Sequence, residues 1–274
     1  MRSIAFINQK GGVGKTTSTA NVGACLATLG KKVLLIDLDP QANMTMHLGV
    51  NVHGKDLSIY QLICGKKKVA EILTKTAVSG LDMIPSDIDL ASAEIELVNT
   101  VGRETIVKFY LDELLNKYDY VLIDCPPSLG LLTLNALTVV KEIFIPLQTE
   151  FFALQGVSKL LQTFDVIKKR LNSSLEITGI IPCMYDSRTK LGQAVLDKIK
   201  EYFEDKVFTT NIRKNIKLSE SPSHGMPIIT YAPDSNGAQD YIALTKEVIA
   251  QENNMLKGIK TKKQKTEIRE HAFY

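Results

Sequence analysis

The chain has 274 residues, 45% of them hydrophobic, enough to bury a large core as one domain. No apolar run reaches the roughly 18 residues that span a bilayer, and Met1-Arg2-Ser3 leads into only four clear apolar residues, unlike a secretory signal. Cys25, Cys64, Cys125 and Cys183 are far apart with no C-x-x-C pair, which excludes a zinc site or disulfide framework and points to the cytoplasm.

The net charge of +3 hides an asymmetry. Residues 257–274 hold six basic and two acidic side chains, so the rest of the chain carries 27 and 28. The reading is one near-neutral domain over residues 1–253 and a basic, flexible tail over 254–274.

In chain order, the apolar run Ile4-Ala5-Phe6-Ile7 reads as a buried strand, followed by Lys10-Gly11-Gly12-Val13-Gly14-Lys15-Thr16-Thr17. Three glycines in four positions let successive backbone N–H groups point into one concavity around an anion. A helix expected from Lys15 to Leu29, stopped by Gly30, adds the positive end of its dipole. Lys15 then neutralises the β- and γ-phosphates and the Thr16 hydroxyl is a ligand to Mg²⁺. Gln9 stands where the strict G-x-x-x-x-G-K-[ST] pattern has glycine, so the loop is a variant.

Lys32 to Asp39 is expected as a second buried strand, with Asp37 and Asp39 arriving on the same sheet edge as the loop and sharing a direction if the strand stays regular. Residues 44–80 say little: loop and short helix to Gly54, helical spacing from Leu57 to Leu73 around the lysines 66–68, which read as a solvated turn. Leu81 to Pro85 reads as a short strand. Ser92 to Leu115 is helical with a break at Val101-Gly102. Asp119 to Asp124 is another buried strand ending in a carboxylate that holds Mg²⁺ through water, and Cys125-Pro126-Pro127 imposes an extended path after it. A helix at Leu131–Leu137, a strand at Glu142–Leu147, a long helix at Phe151–Leu171, a strand at Ile177–Pro182 and helices at Leu191–Phe203 and Ala238–Gln251 complete the pattern. Alternating strands and helices make a doubly wound, mostly parallel α/β sheet with helices on both faces.

The loop K-G-G-x-G-K-T-T, with its extra Lys10, resembles the deviant Walker A loop of the ParA/MinD superfamily of P-loop ATPases. Asp37-Leu38-Asp39-Pro40-Gln41 is similar to the family's first switch, and Val121 to Ser128 to its Walker B strand and second switch. The likeness runs to about residue 250 and is nearest to the Soj/ParA partition branch. It implies that the whole loop, Lys10 to Thr17, binds ATP; that Lys10 reaches the nucleotide of a partner subunit; and that Asp39 positions the attacking water. It also implies nucleotide contacts at Met184 and Asn215, Mg²⁺ held through Thr16 and Asp124, and DNA contacts at Arg188, Arg213, Lys214 and Lys217. Where the family has Ile-Pro-Arg-Asn this chain has Ile212-Arg213-Lys214-Asn215, losing a proline and gaining a charge.

The activity implied is that of a partition ATPase. It is cytoplasmic and nucleoid-associated, dimerises face to face with ATP, binds duplex DNA without sequence preference, and hydrolyses ATP when a ParB-like partner stimulates it. The alternative is a MinD-like membrane-positioning ATPase, which depends on an amphipathic C-terminal helix; residues 257–265 offer Ile259 as their one apolar side chain larger than alanine. An iron–sulfur ATPase needs cysteine ligands, of which Cys125 is a lone candidate, and a small-molecule kinase or ligase does not account for Lys10.

Overall fold

The computed structural model describes residues 1–150 and 155–271. Its strands are short apolar runs covered on both faces, which is why they read as continuous hydrophobic stretches. They are β1 (Arg2–Phe6), β2 (Val33–Asp37), β3 (Thr74–Lys75), β4 (Leu81–Ile84), β5 (Tyr120–Asp124), β6 (Glu142–Gln148), β7 (Glu176–Tyr185) and β8 (Ile212–Arg213). The eight form one sheet in the order β3-β4-β2-β5-β1-β6-β7-β8, parallel except for the β3–β4 pair. This is the expected doubly wound α/β architecture.

Side-chain alternation divides the core in two. Ala5, Leu34, Ile36, Val121, Ile123, Ile143 and Ile145 pack under the helices Ile106–Leu115, Leu131–Val139, Gln155–Arg170 and Lys190–Phe203. Ile4, Phe6, Val33, Leu35, Tyr120, Leu122 and Phe144 pack under the first helix, Lys15–Thr28, and the last, Asn236–His271. Gly23 permits the first helix to lie close on β2, because a Cβ there would stand 2.7 Å from Leu35 Cδ2. Gly30, at φ +82°, lies just beyond its end, as expected.

Registry sets the functional edge. Phe6 pairs with Asp124 and Asp124 with Asp37, so the ends of β1, β5 and β2 lie in one row. The connection after β1 leads to β2 on one side of it while the connection after β5 leads to β6 on the other, and the phosphate loop leaves β1 at that switch point.

Several boundaries differ from expectation. β2 ends at Asp37, not Asp39, because the Asp39 N–H turns back to Asp37 Oδ1 (3.1 Å); the two carboxylates therefore do not share a strand direction. The helical pattern over 57–73 is two short helices, Ile59–Ile63 and Val69–Ile72, separated by Gly65 at φ +68°. The helix expected from Phe151 spans Gln155–Arg170, and residues 151–154 lie outside the described residues. The last helix runs from Asn236 to His271, since no proline stops it after Gln251; the basic segment read as a flexible tail has helical backbone as far as His271.

At the opposite edge of the sheet, Arg2 anchors the last helix. Its Nε and Nη2 each donate to Glu142 at 2.7 Å, and Nη1 donates to the Val248 carbonyl at 2.6 Å. Thr178 Oγ1 donates to the same carboxylate, and Gln251 Nε2 to the Thr178 carbonyl. Glu142→Ala leaves the Arg2 charge buried and unpaired, so urea unfolding is expected to show a loss of about 3 kcal/mol.

Candidate nucleotide site

The loop is built as its glycines require. Gly12 (φ +72°) and Gly14 (φ +96°) occupy the left-handed region that a side chain makes costly, and nothing lies within 4 Å of where a Cβ on Gly11 or Gly12 would stand. Gly14 caps the first helix without a side chain, leaving the N–H groups of its opening turn facing the loop.

Behind the loop lies a concentration of charge. Asp37 and Asp124 are fully buried, Asp39 nearly so, and Lys15 is the buried cation among them. Lys15 Nζ donates to the Lys10 carbonyl at 3.4 Å, and burial pulls its pKa down against the attraction of Asp124. Burial, with Asp37 and Asp39 nearby, pushes the Asp124 carboxyl well above the usual carboxylate range. Thr16 Oγ1 donates to Asp124 Oδ2 at 2.6 Å, while Asp124 Oδ1 is buried with no partner. An orphaned carboxylate oxygen beside a hydroxyl, in a region short of positive charge, is a donor set that suits a hard divalent cation. Thr16 and Asp124 thus fit Mg²⁺, with Lys15 beside them.

Asp37 and Asp39 have different duties. Asp37 Oδ2 accepts from both the backbone N–H (2.9 Å) and the hydroxyl (2.8 Å) of Thr45, whose Oγ1 in turn accepts the Ser86 N–H at 3.0 Å. It is a peg that fixes the short helix Asn43–His47 to the sheet. Asp39 Oδ1 accepts the Gln41 N–H at 2.9 Å in the loop between strand and helix. Ala42, which starts the helix, sits at φ +51°, a strain on the order of 1 kcal/mol stored beside the site.

Two cavities meet over the loop. One, about 500 Å³, is lined by Gly12, Lys15, Thr16, His47 and Ser223 among others. The other, about 260 Å³, is lined by Cys183, Ile212, Lys214, Asn215, Leu218 and Tyr241 among others. Gly14, Thr17, Met184 and Pro222 belong to both, so the two form one continuous cleft. Met184 (φ +54°) is a second non-glycine residue held in the left-handed region, and Gln148 Nε2 donates to its sulfur at 3.0 Å.

The structure brings Gly12, Gly14, Lys15, Thr16, Thr17, Met184 and Asn215 to this cleft. Gly11 and Val13 are absent from its walls; Val13 turns its side chain into the core. Lys10 also lies outside both cavities: its Nζ donates to Gln148 Oε1 (2.7 Å) and Glu150 Oε2 (3.0 Å). Asn43, His47, Pro222 and Ser223 were not legible as wall residues, because each enters through packing of segments distant in sequence. Gln148, which joins Lys10, the Gly12 carbonyl and Met184, carries no motif either.

The four predicted DNA contacts are dissimilar. Arg213 is locked to Asp240, with Nε at 3.0 Å and Nη2 at 2.6 Å, and its backbone N–H donates to the same carboxylate at 2.9 Å. A proline at 213 could not make that last bond, so the departure from the family's Ile-Pro-Arg-Asn pattern is matched by Asp240. Arg188, Lys214 and Lys217 are exposed near the end of β7 and after β8.

A glycine loop opening a helix with Lys-Thr, and a carboxylate at the neighbouring strand end, define a P-loop nucleotide-binding protein. A family model described as an AAA domain matches residues 1–177. The sporulation initiation inhibitor protein Soj of Bacillus subtilis is 51% identical over 247 residues, 90% of this chain and 98% of that protein. The chromosome-partitioning ATPase Soj of Treponema pallidum is 50% identical, covering 92% and 98%. The structure of cobyrinic acid a,c-diamide synthase from Mycobacterium smegmatis with a bound ATP analog and magnesium superposes with a TM-score of 0.82 at 35% identity, covering 91% of this chain and 94% of that one. With relatives this similar over nearly their whole length, the chain belongs to the Soj/ParA family of chromosome-partitioning ATPases. Among the described residues, no helix is long and apolar enough to cross a membrane.

His47 is buried, its Nε2 3.4 Å from Ser221 Oγ, and burial pushes its pKa down to about 4 from 6.5. The folded chain refuses a proton that the unfolded chain accepts. His47 therefore has no effect on stability above pH 6.5 and removes up to about 3 kcal/mol as pH falls from 6.5 to 4. Chemical denaturation across that range is expected to show a flatter acid limb for His47→Gln.

Proposed function

We propose that this chain is a DNA-partition ATPase in which bound Mg-ATP joins two subunits into a dimer that holds duplex DNA, and hydrolysis releases it. The observation that carries the ATPase reading is the buried pair Lys15 and Asp124 with the half-buried Thr16 hydroxyl between loop and carboxylate, and the unpartnered Asp124 oxygen, at the floor of the glycine loop. Loop N–H groups and Lys15 bind the phosphates. Thr16 and Asp124 would hold Mg²⁺, which would supply neutralisation of the phosphate charge. Asp39, on the loop after β2, orients the water that attacks the γ-phosphate in line, and the cleft beyond Met184 takes adenine against Asn215.

The place of Lys10 supports the dimer. Within one subunit it is not among the residues lining the cleft, and its ammonium is half-exposed, held by Gln148 and Glu150. A second subunit facing that ammonium brings each Lys10 to the other's γ-phosphate, where it adds to charge neutralisation in the transition state. Pairing also doubles the exposed basic side chains Arg188, Lys214 and Lys217 on one face, which suits a polyanion bound through its backbone. A ParB-like partner that speeds hydrolysis completes the cycle, a reading supported by the partitioning role in the relatives' names.

Binding to random-sequence duplex DNA is expected with ATP, weakly or not at all with ADP or no nucleotide, and to fall steeply with salt. Arg188→Glu is expected to abolish it and leave ATP binding intact; retained DNA affinity at low salt would rule out this surface. Asp39→Ala is expected to lower the hydrolysis rate on the order of 10²-fold while ATP still binds and dimerises the protein, as followed by phosphate release and light scattering. Equal rates would remove Asp39 from the mechanism.

A further inference from the structure

Two of the three exposed cations on the basic face already hold a carboxylate of their own chain. Arg188 meets Asp186 in a two-pronged contact, Nε to Oδ1 at 2.9 Å and Nη2 to Oδ2 at 2.7 Å, although its side chain is 86% exposed. Lys217 Nζ lies 2.8 Å from Glu220 Oε2, which also accepts from Tyr231 Oη at 2.9 Å. Lys214 has no such bond among the described residues, yet its charge reaches Asp186, whose carboxyl the Arg188 hydrogen bond, its backbone N–H and these charges hold down at about 2. The two segments are neighbours, since the Lys214 N–H donates to the Tyr185 carbonyl at 3.2 Å.

These pairs do little for the fold. Arg2–Glu142 is buried, Arg213–Asp240 sets a partly exposed guanidinium on a buried carboxylate, and both join elements far apart in sequence, as structural pairs do. Arg188–Asp186 and Lys217–Glu220 join residues two and three apart on exposed segments, where an ion pair adds little to stability. A carboxylate presented to a guanidinium in fork geometry does occupy the place that a phosphate takes.

We propose that Asp186 and Glu220 are built-in competitors of DNA phosphate, which hold the affinity of one subunit low and make DNA binding depend on the doubled basic face of the dimer. The proposal rests on the reading of this face as the DNA surface. A phosphate engaging Arg188 or Lys217 must first displace its carboxylate, a cost met when many contacts form together. The acidic residues thereby sharpen the difference between single and paired subunits.

The test is the double variant Asp186→Asn with Glu220→Gln, which removes both charges and keeps an amide oxygen for the Arg188 backbone N–H and the Tyr231 hydroxyl. Affinity for random duplex DNA at fixed salt is expected to rise about tenfold, on the order of two phosphate contacts, and to become measurable with ADP and without nucleotide. Binding of a fluorescent ATP analogue is expected to be unchanged. Asp112→Asn with Glu113→Gln alters net charge equally on the helix Ile106–Leu115, where Asp112 lines a cleft with Met1 and Lys141 at the opposite end of the sheet. An equal gain from that control, or no gain from the first pair, overturns the proposal. Arg188→Ala separates the two failures. If it abolishes binding while Asp186→Asn with Glu220→Gln adds none, the competitors fall and the DNA surface stands; if it changes nothing, the surface itself falls.

Discussion

The architecture depends on forcing three carboxylates toward one point. Parallel registry aligns the ends of β2 and β5, so that Asp37 and Asp124 are direct neighbours, and the turn after β2 returns Asp39 to the same place. Such an arrangement is unfavourable unless positive charge is brought to it. Asp37 takes part of the answer from backbone and Thr45, Asp39 from the Gln41 N–H, and Asp124 from Thr16. What remains, one orphaned oxygen of Asp124 beside a single buried Lys15, is a deficit of positive charge that suits a divalent cation. The site is thus organised by what its own residues leave unpaired.

That deficit is connected mechanically to the outer surface. Asp37 holds Thr45 and so the helix Asn43–His47, entered through the strained Ala42; His47 at its end meets Ser221. Ser221 begins the turn that places Pro222 and Ser223 in the nucleotide cleft, and it follows directly on Glu220, the partner of Lys217. The path is one of continuous contacts, each member buried or hydrogen-bonded.

Ion pairs in this molecule divide by location. Arg2 with Glu142 fastens the last helix to β1 and β6, and Arg213 with Asp240 fastens the same helix to β8. The first takes both charges out of water; the second buries the Asp240 carboxylate and leaves the Arg213 guanidinium partly exposed. Lys10, Arg188 and Lys217 hold carboxylates at the surface instead, where the partners can be exchanged. The positive side chains available for function are therefore those whose pairing is exposed and weak.

By itself the sequence determined the phosphate loop, the carboxylate at the end of β5 and the alternation of strands and helices. These depend on short-range chemistry: glycine's freedom at positive φ, the need for Lys-Thr at a helix start, and apolar runs too long for a half-exposed strand. Arg188, Arg213, Lys214 and Lys217 are marked as DNA contacts by the family likeness and by no local pattern. Only the tertiary structure decided that Asp37 is a peg for Thr45 and not a partner in direction to Asp39, because β2 stops two residues earlier than expected. Only it showed Arg213 bound to Asp240, 27 residues away, and His47 and Ser223 brought to one cleft from opposite ends of the chain. Such facts are invisible in one dimension because they arise from which surfaces meet when the two halves of the core close on the sheet, and no local pattern encodes the identity of the residue on the other side.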